Sequence, residues 1–145
     1  MDRVLVRKME KRDAAQIGRI DAAITKAPKR LDFKKLVDDI VQEEDAASFV
    51  AEANGKVVAY MISYVTLGDF GTDRCAWIAM FGVAPKFMDQ GIGKKLAKEI
   101  FAFYKAQGIK EIHTSVRWDS TDILSFCKIL GFERSEFLHL RKPLD

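Results

Sequence analysis

The sequence predicts a single α/β domain that covers residues 1–145. Its length of 145 residues is typical of one compact domain, and 48% of the residues are hydrophobic, which is enough for one core. Segments with the periodicity of strands alternate with segments with the periodicity of helices. The predicted order is strand, two helices, three strands, helix, strand, helix, strand. A chain that is 48% hydrophobic belongs to neither the disordered nor the collagen-like class.

Composition also narrows the classes of partner and ligand. The formal net charge of +3 is too small to indicate a nucleic-acid partner. Cys75 and Cys127 form no CxxC pair and the two histidines lie far apart, so we expect neither a disulfide framework nor a metal site. No apolar run approaches the roughly 18 residues that a membrane span needs. We therefore expect a cytoplasmic protein that binds neither nucleic acid nor membrane.

One strand and two helices open the chain. Residues 4–9 are rich in apolar and β-branched side chains and predict the strand. Apolar residues then recur at helical spacing over residues 14–24 and again over residues 33–41, so that the second helix runs towards Glu43. Pro28 interrupts the pattern between them, so we expect two helices rather than one long helix.

A hairpin and a central strand follow. Residues 48–52 and 56–66 flank Asn54–Gly55, a dipeptide suited to the positive φ angles of a type I′ turn. Residues 76–83 are almost continuously apolar, which predicts a strand buried on both faces. Pro85 ends that strand.

The most regular helix pattern covers residues 91–107, where apolar side chains fill one half of a helical wheel and the other half carries charged side chains and Ala102. Gly108 is well placed to cap it. A strand over residues 111–116 would complete a strand–helix–strand unit with parallel strands. A further helix over residues 121–130 and a last strand over residues 137–140 complete the prediction.

The segment between Val83 and Leu96 has the organisation of an anion-binding site, because a buried strand leads through a short loop with Gly91 and Gly93 into a helix. The first N–H groups of a helix have no partner within it, and the helix dipole places positive potential there. The glycines allow a phosphate to approach the main chain closely. We therefore expect a phosphate-bearing ligand at this helix start.

Two common phosphate-binding motifs do not fit this loop. A P-loop would need glycine at Met88 and serine or threonine at Lys95, and a dinucleotide-binding fingerprint would need glycine or alanine at Leu96. A nucleotide-phosphate binder of another kind remains an alternative.

Two signatures in this chain resemble those of the GNAT superfamily of acyl-CoA-dependent N-acyltransferases. Val83-Ala84-Pro85 followed by Met88–Gly93 is similar to the V-x-P and [RQ]-x-x-G-x-[GA] motifs, and Phe126–Phe132 is similar to the F-Y-x-x-x-G-F motif. The resemblance covers nearly the whole chain. It implies a mixed central sheet of about six or seven strands that splays open after the fourth strand, flanked by about four helices.

The resemblance further implies that acetyl-CoA is the cofactor. Main-chain groups of Phe81, Gly82 and Val83 would then face the pantetheine arm, as in strand addition. The pyrophosphate would rest on a cradle formed by Met88, Asp89, Gln90, Gly91, Ile92, Gly93 and Lys94.

The implied activity is acetyl transfer to a primary amine by direct attack in a ternary complex. Cys127 stands where the family often has a tyrosine that protonates the departing thiolate, and it is a candidate acid or an inert core residue. His113 is a candidate base that acts through water, or a structural histidine. A non-catalytic acyl-CoA-binding or regulatory module is the alternative function.

The acceptor is expected to be a small-molecule or peptide amine. Residues 38–45 contain five acidic residues and no basic one, a charge that either attracts a cationic amine or belongs to a solvated helix end. Relatives of this kind are often dimers, so a homodimer is also expected.

Overall fold

The computed structural model describes residues 3–25, 31–68, 71 and 73–145, and the predicted break at Pro28 lies outside them. The chain forms two compact units, one ending at His113 and one beginning at Thr114. No helix in the described residues combines the length and the apolar character that crossing a membrane requires. The elements are, in chain order, β1 (Val4–Lys8), α1 (Ala14–Thr25), α2 (Phe33–Val41), β2 (Phe49–Ala53), β3 (Lys56–Leu67), β4 (Arg74–Val83), α3 (Ile92–Ala106), β5 (Ile112–Thr114) and α4 (Thr121–Ile129).

The strands form one sheet in the order β1-β2-β3-β4-β5. Each of the first three neighbouring pairs is antiparallel. Asn54 and Gly55 join β2 to β3 with φ angles of 54° and 78°, so the predicted hairpin is confirmed. At β5, the Ala76 N–H donates to the Glu111 carbonyl over 3.3 Å, whereas the parallel orientation of β5 stays a prediction.

The α/β class and the four α-helices are confirmed, but the expected six or seven strands are too many, because the sheet in the described residues has five. The strand predicted over 111–116 is limited to Ile112–Thr114. The strand predicted over 137–140 does not form, and Leu138 and Leu140 are 76% and 86% exposed. A strand needs a neighbour for its main-chain groups, and a local apolar pattern cannot supply one.

Helices α1 and α2 cover one face of the sheet. Ile17 and Ile20 lie about one turn apart on α1, and Phe33 and Val37 lie one turn apart on α2, so each helix presents one apolar stripe. The buried cluster that includes these stripes also contains, from the strands, Val50, Val57, Tyr60 and Ile62.

Helix α3 packs on the other face. Leu96, Ile100 and Tyr104 follow one another at four-residue spacing and are buried, whereas the lysines of α3 point to solvent. Side chains alternate along a strand, so Ser63 lies on the face opposite Tyr60 and Ile62. Its hydrogen-bond contact with Tyr104 places α3 on that face.

Candidate functional site

Strand β4 was expected to be central, but it lies fourth in the sheet order, between β3 and β5, and it contains a β-bulge. Ile62 of β3 pairs with Met80, but Ser63 pairs with Ile78, so Ala79 is an extra residue without a counterpart in β3. A bulge bends its strand and increases the local twist. Ala79 is exposed, so the prediction that β4 is buried on both faces is wrong at this position.

Gly82, near the end of β4, allows α1 to lie close to the sheet. A Cβ atom at this position would lie 2.8 Å from Ile24 Cδ1 and 3.0 Å from Tyr60 Cε1. Phe81 and Val83 are half-buried, and strand alternation directs their side chains to the face opposite the one where a Gly82 side chain would lie. Of the three residues predicted to face the pantetheine arm, Gly82 therefore leaves one face of β4 without a side chain.

The loop after β4 is attached to the sheet at its first residue. The Ala84 N–H donates to the Val58 carbonyl over 2.8 Å. A single turn of 3-10 helix follows over Pro85–Phe87, and the Phe87 N–H donates to the Ala84 carbonyl over 2.8 Å. Proline fits the first position of such a turn because its fixed φ suits the turn and its missing N–H is not needed.

The start of α3 leaves main-chain donors available. Gly91 is the N-cap, with φ 78°, and no side chain caps the helix there. The first bond of the helix runs from the Lys95 N–H to the Gly91 carbonyl, so the N–H groups of Ile92, Gly93 and Lys94 have no partner within the helix. A Cβ atom added at Gly91 would meet nothing within 4 Å. Uncompensated donors, positive helix-end potential and open space fit a diphosphate.

The predicted cradle residues lie together at this end of the sheet but contribute differently. Asp89 adopts φ 62°, which is unusual for a residue with a side chain. Ile92 is 2% exposed and Gly93 is buried, so only their main-chain groups can face a ligand. The members with exposed side chains or surfaces are Met88, Asp89, Gln90, Gly91 and Lys94. Their contacts with a cofactor stay a prediction.

His113 lies beside the first half of β4, away from the glycine loop. Its imidazole is 5.3 Å from the Trp77 ring, and its Nε2 lies 3.4 Å from Glu111 Oε1. The side chain of His113 is 16% exposed. A carboxylate at this distance can orient the imidazole ring.

Cys127 belongs to the second unit, on α4. It is 8% exposed, and burial raises the pKa of its thiol. Gly131, with φ 97°, ends the helix, and the Phe132 N–H donates to the Cys127 carbonyl over 3.0 Å. The thiol is therefore protonated at neutral pH, as a proton donor must be.

Sequence reasoning missed Glu111 and the contact of Trp77 with His113. Glu111 and His113 are two residues apart, so strand alternation could have placed them on one face. Trp77 and Tyr64 are paired by the register of β3 with β4, which no local pattern specifies.

The acidic run is partly neutralised. Asp45 lies 3.9 Å from the Arg74 guanidinium, and Arg74 also donates to the Gln107 side chain over 3.0 Å. The charge available to attract a cationic ligand is therefore smaller than the sequence alone indicates.

Comparison with known proteins finds a curated relative by sequence and many solved structures with a similar fold. A segment of 91 residues, 61% of this chain, is 30% identical to a mycothiol acetyltransferase of Amycolatopsis mediterranei (strain U-32). The chain spans about 30% of the length of that relative.

Two solved structures illustrate the likeness of fold. An aminoglycoside acetyltransferase from an uncultured soil metagenomic sample superposes with a TM-score of 0.81 and 22% identity, over 98% of this chain and 97% of its own. Aminoglycoside N-acetyltransferase AAC(6')-Iy in complex with CoA gives a TM-score of 0.84 and 17% identity, over 99% of this chain and 96% of its own. At these identities the likeness establishes the fold.

The family match is longer than the match to the mycothiol acetyltransferase. The model of the acetyltransferase (GNAT) family matches residues 15–132, from α1 to the residue after Gly131. This range includes the glycine loop and the whole of α4. The protein therefore belongs to the acetyltransferase (GNAT) family, as its two sequence signatures led us to expect.

Proposed function

We propose that the protein transfers an acetyl group from acetyl-CoA to a primary amine, which attacks the thioester carbonyl directly in a ternary complex. The observation that carries this proposal is the uncapped start of α3 at Gly91, which follows β4 through a loop with one 3-10 turn, in a chain of the acetyltransferase (GNAT) family. Acetyl-CoA supplies a thioester whose carbonyl accepts the amine and whose sulfur leaves as a thiolate.

The main chain of the loop holds the pyrophosphate. The N–H groups of Ile92, Gly93 and Lys94 point outward from the helix start, and charge–dipole attraction strengthens their hydrogen bonds to an anion. Lys94 is exposed and adds its own positive charge. Since this binding depends on main-chain groups, Met88 in place of the family's arginine or glutamine is compatible with it.

The last residues of β4 receive the pantetheine arm. β4 has ten residues and β5 has three, so β5 can accompany only about a third of the length of β4. This difference supports a sheet that opens after the fourth strand. An amide-bearing arm can then pair with main-chain groups of Phe81, Gly82 and Val83 as an added strand.

Proton transfer is assigned to two residues. His113 accepts the proton of the attacking ammonium group through water, and Glu111 orients the imidazole at 3.4 Å. Cys127 gives a proton to the departing thiolate, the role that the family's tyrosine would have. Its protonated state at neutral pH agrees with this role.

The proposal includes one domain, a cationic acceptor and a dimer. The family match runs across the boundary between the two compact units, which supports one functional domain over residues 1–145. The acceptor is a cationic small-molecule or peptide amine, and the similar structure with bound CoA is an aminoglycoside acetyltransferase. A homodimer in the cytoplasm completes the proposal.

Calorimetric titration with CoA and with ATP, together with assays of thiol release, tests the proposal. We expect CoA to bind more tightly than ATP, and acetyl-CoA to release free thiol when amines are added. Tighter binding of ATP would contradict an acetyl-CoA site. Binding of CoA without thiol release for peptides, polyamines and aminoglycosides would favour the non-catalytic acyl-CoA-binding module, for which Cys127 in place of tyrosine is the supporting observation.

A further inference from the structure

Three rings form a row across strands β3, β4 and β5. Tyr64 and Trp77 are direct cross-strand partners, and their ring centroids lie 6.4 Å apart with planes 6° from parallel. On the β5 side, the His113 imidazole lies 5.3 Å from the Trp77 ring. Strand alternation places this row, defined as Tyr64, Trp77 and His113, on the face of the sheet that carries Tyr60 and Ile62.

The row is open to solvent at one end and carries a carboxylate at the other. Tyr64 is 42% exposed. The Glu111 side chain is 61% exposed and lies 3.4 Å from the His113 imidazole. Aromatic faces attract cations through the ring quadrupole, and a carboxylate attracts them by its charge. Both features favour a positively charged ligand over a neutral or anionic one.

We propose that the row binds the amine acceptor, and that this acceptor carries a second cationic group. The inference rests on the proposed function, in which His113 accepts a proton from the attacking amine. An acceptor with one amine beside the His113 imidazole extends along the row over Trp77 and Tyr64. A second ammonium group there is stabilised by the rings, whereas a neutral group of the same size gains nothing from the quadrupole.

A matched pair of acceptors isolates the second charge. Hexamethylenediamine and aminohexanol have the same chain and one common amine, and they differ in whether the far end is ammonium or hydroxyl. We expect kcat/KM to be about tenfold higher for the diamine. Tyr64→Leu should bring the ratio of the two values close to the statistical factor that two equivalent amines give, and Tyr64→Phe, which keeps the ring, should preserve it.

Leu67→Ala is the matched control variant. Leu67 lies on the same strand as Tyr64 and is 78% exposed, but strand alternation places it on the other face. Its substitution should leave the ratio unchanged. Thermal denaturation of all three variants checks that each is folded at the assay temperature.

A kcat/KM ratio no larger than that statistical factor, or a ratio that Tyr64→Leu does not change, would overturn the row as the acceptor site. Calorimetric binding of the two amines without acetyl-CoA separates this failure from a failure of the proposed function. If no amine releases thiol, tighter binding of the diamine that is lost in Tyr64→Leu still supports the row. Equal binding of the two amines overturns it.

Discussion

The hydroxyl groups of Ser63 and Tyr104 lie 2.6 Å apart inside the protein. The Ala47 N–H donates to the Tyr104 hydroxyl over 3.0 Å, and the Ser63 hydroxyl donates to the Ala47 carbonyl. The Tyr104 hydroxyl can then donate to Ser63, so each of the three residues gives one hydrogen bond and accepts one. This closed set joins β3, α3 and the segment before β2. Burial is the main reason that the pKa of Tyr104 is raised, so the phenol stays neutral.

Removing one hydroxyl of this set leaves buried polar groups without partners. Tyr104→Phe deprives the Ala47 N–H of its acceptor, and it should lower the free energy of unfolding by about 2 kcal/mol. Ser63→Ala should have a similar effect. Because the two hydroxyls belong to one set, the double variant should lose less than the sum of the single losses in urea denaturation. Strict additivity would contradict the closed arrangement.

The pair of Arg7 and Asp13 should make stability depend on pH. Arg7 donates to both carboxylate oxygens of Asp13, over 2.9 Å and 2.8 Å, and Asp13 is 2% exposed. Burial is the largest influence and opposes ionisation, but the hydrogen bonds from Arg7 and from the Glu10 main chain together outweigh it, so the pKa of Asp13 lies below its ordinary value of 3.8. A lowered pKa stabilises the fold above the ordinary value, and this contribution disappears as the pH falls through the lowered one.

Asp13→Asn should therefore cost about 2 kcal/mol of unfolding free energy at neutral pH. The difference from the unaltered protein should shrink as the pH falls below 3.8, the ordinary pKa of the carboxyl group. Urea denaturation at a series of pH values measures it. Asp119→Asn is the control, because Asp119 forms a similar pair with Arg117 over 3.0 Å but is exposed to solvent. A difference for Asp13→Asn that does not vary with pH would contradict the assignment.

Elements that a clear pattern of neighbouring residues marks in the sequence were predicted well. The helix expected over residues 91–107 spans Ile92–Ala106, because an amphipathic stripe and a glycine at each end mark it along the chain. The strand expected over residues 137–140 failed since its formation depends on a neighbouring strand. The local sequence pattern therefore predicted which segments form helices better than it predicted which segments pair as strands.

The parts of the candidate site also differ in whether the sequence alone could predict them. The glycine loop is continuous in sequence, so its likeness to known motifs could be recognised from the order of its residues alone. The contact of Tyr64 with Trp77 instead depends on the register of two strands, and the bulge at Ala79 shifts that register by one residue. A one-residue shift moves side chains to the other face of the sheet, and no local pattern showed where it occurs.

Gly91→Ala tests the space at the start of α3. Gly91 has φ 78°, and a Cβ atom there meets nothing within 4 Å, so the variant should fold with a loss of about 1 kcal/mol from backbone strain. The methyl group should hinder a diphosphate, and we expect calorimetry to show CoA binding weakened about tenfold or more.

Gly108→Ala is the matched control for this helix start. Gly108 follows the other end of α3 with φ 80° and equally open surroundings, so the backbone strain should be similar. CoA affinity should not change in this variant. Equal loss of affinity in both variants would assign the effect to general destabilisation rather than to the phosphate cradle.

Cys127→Ala tests the assigned proton donor. If the thiol protonates the departing thiolate, kcat should fall about a hundredfold while the Kd for CoA stays constant. Because Cys127 is buried, the substitution also costs some stability, so thermal denaturation must accompany the kinetics. An unchanged kcat in the folded variant would leave Cys127 as a core residue.

Gly82→Ala tests how closely α1 must lie to β4. The new methyl group would lie 2.8 Å from Ile24 Cδ1 and 3.0 Å from Tyr60 Cε1, and we expect a loss of about 1–2 kcal/mol in unfolding free energy. Ile24→Val deletes the Cδ1 atom that lies closest. Combining the two substitutions should therefore cost less than the sum of their separate effects, with the remaining loss caused by the buried Tyr60 ring. If urea denaturation finds the two losses additive, the close approach of Ile24 is not what requires glycine at this position.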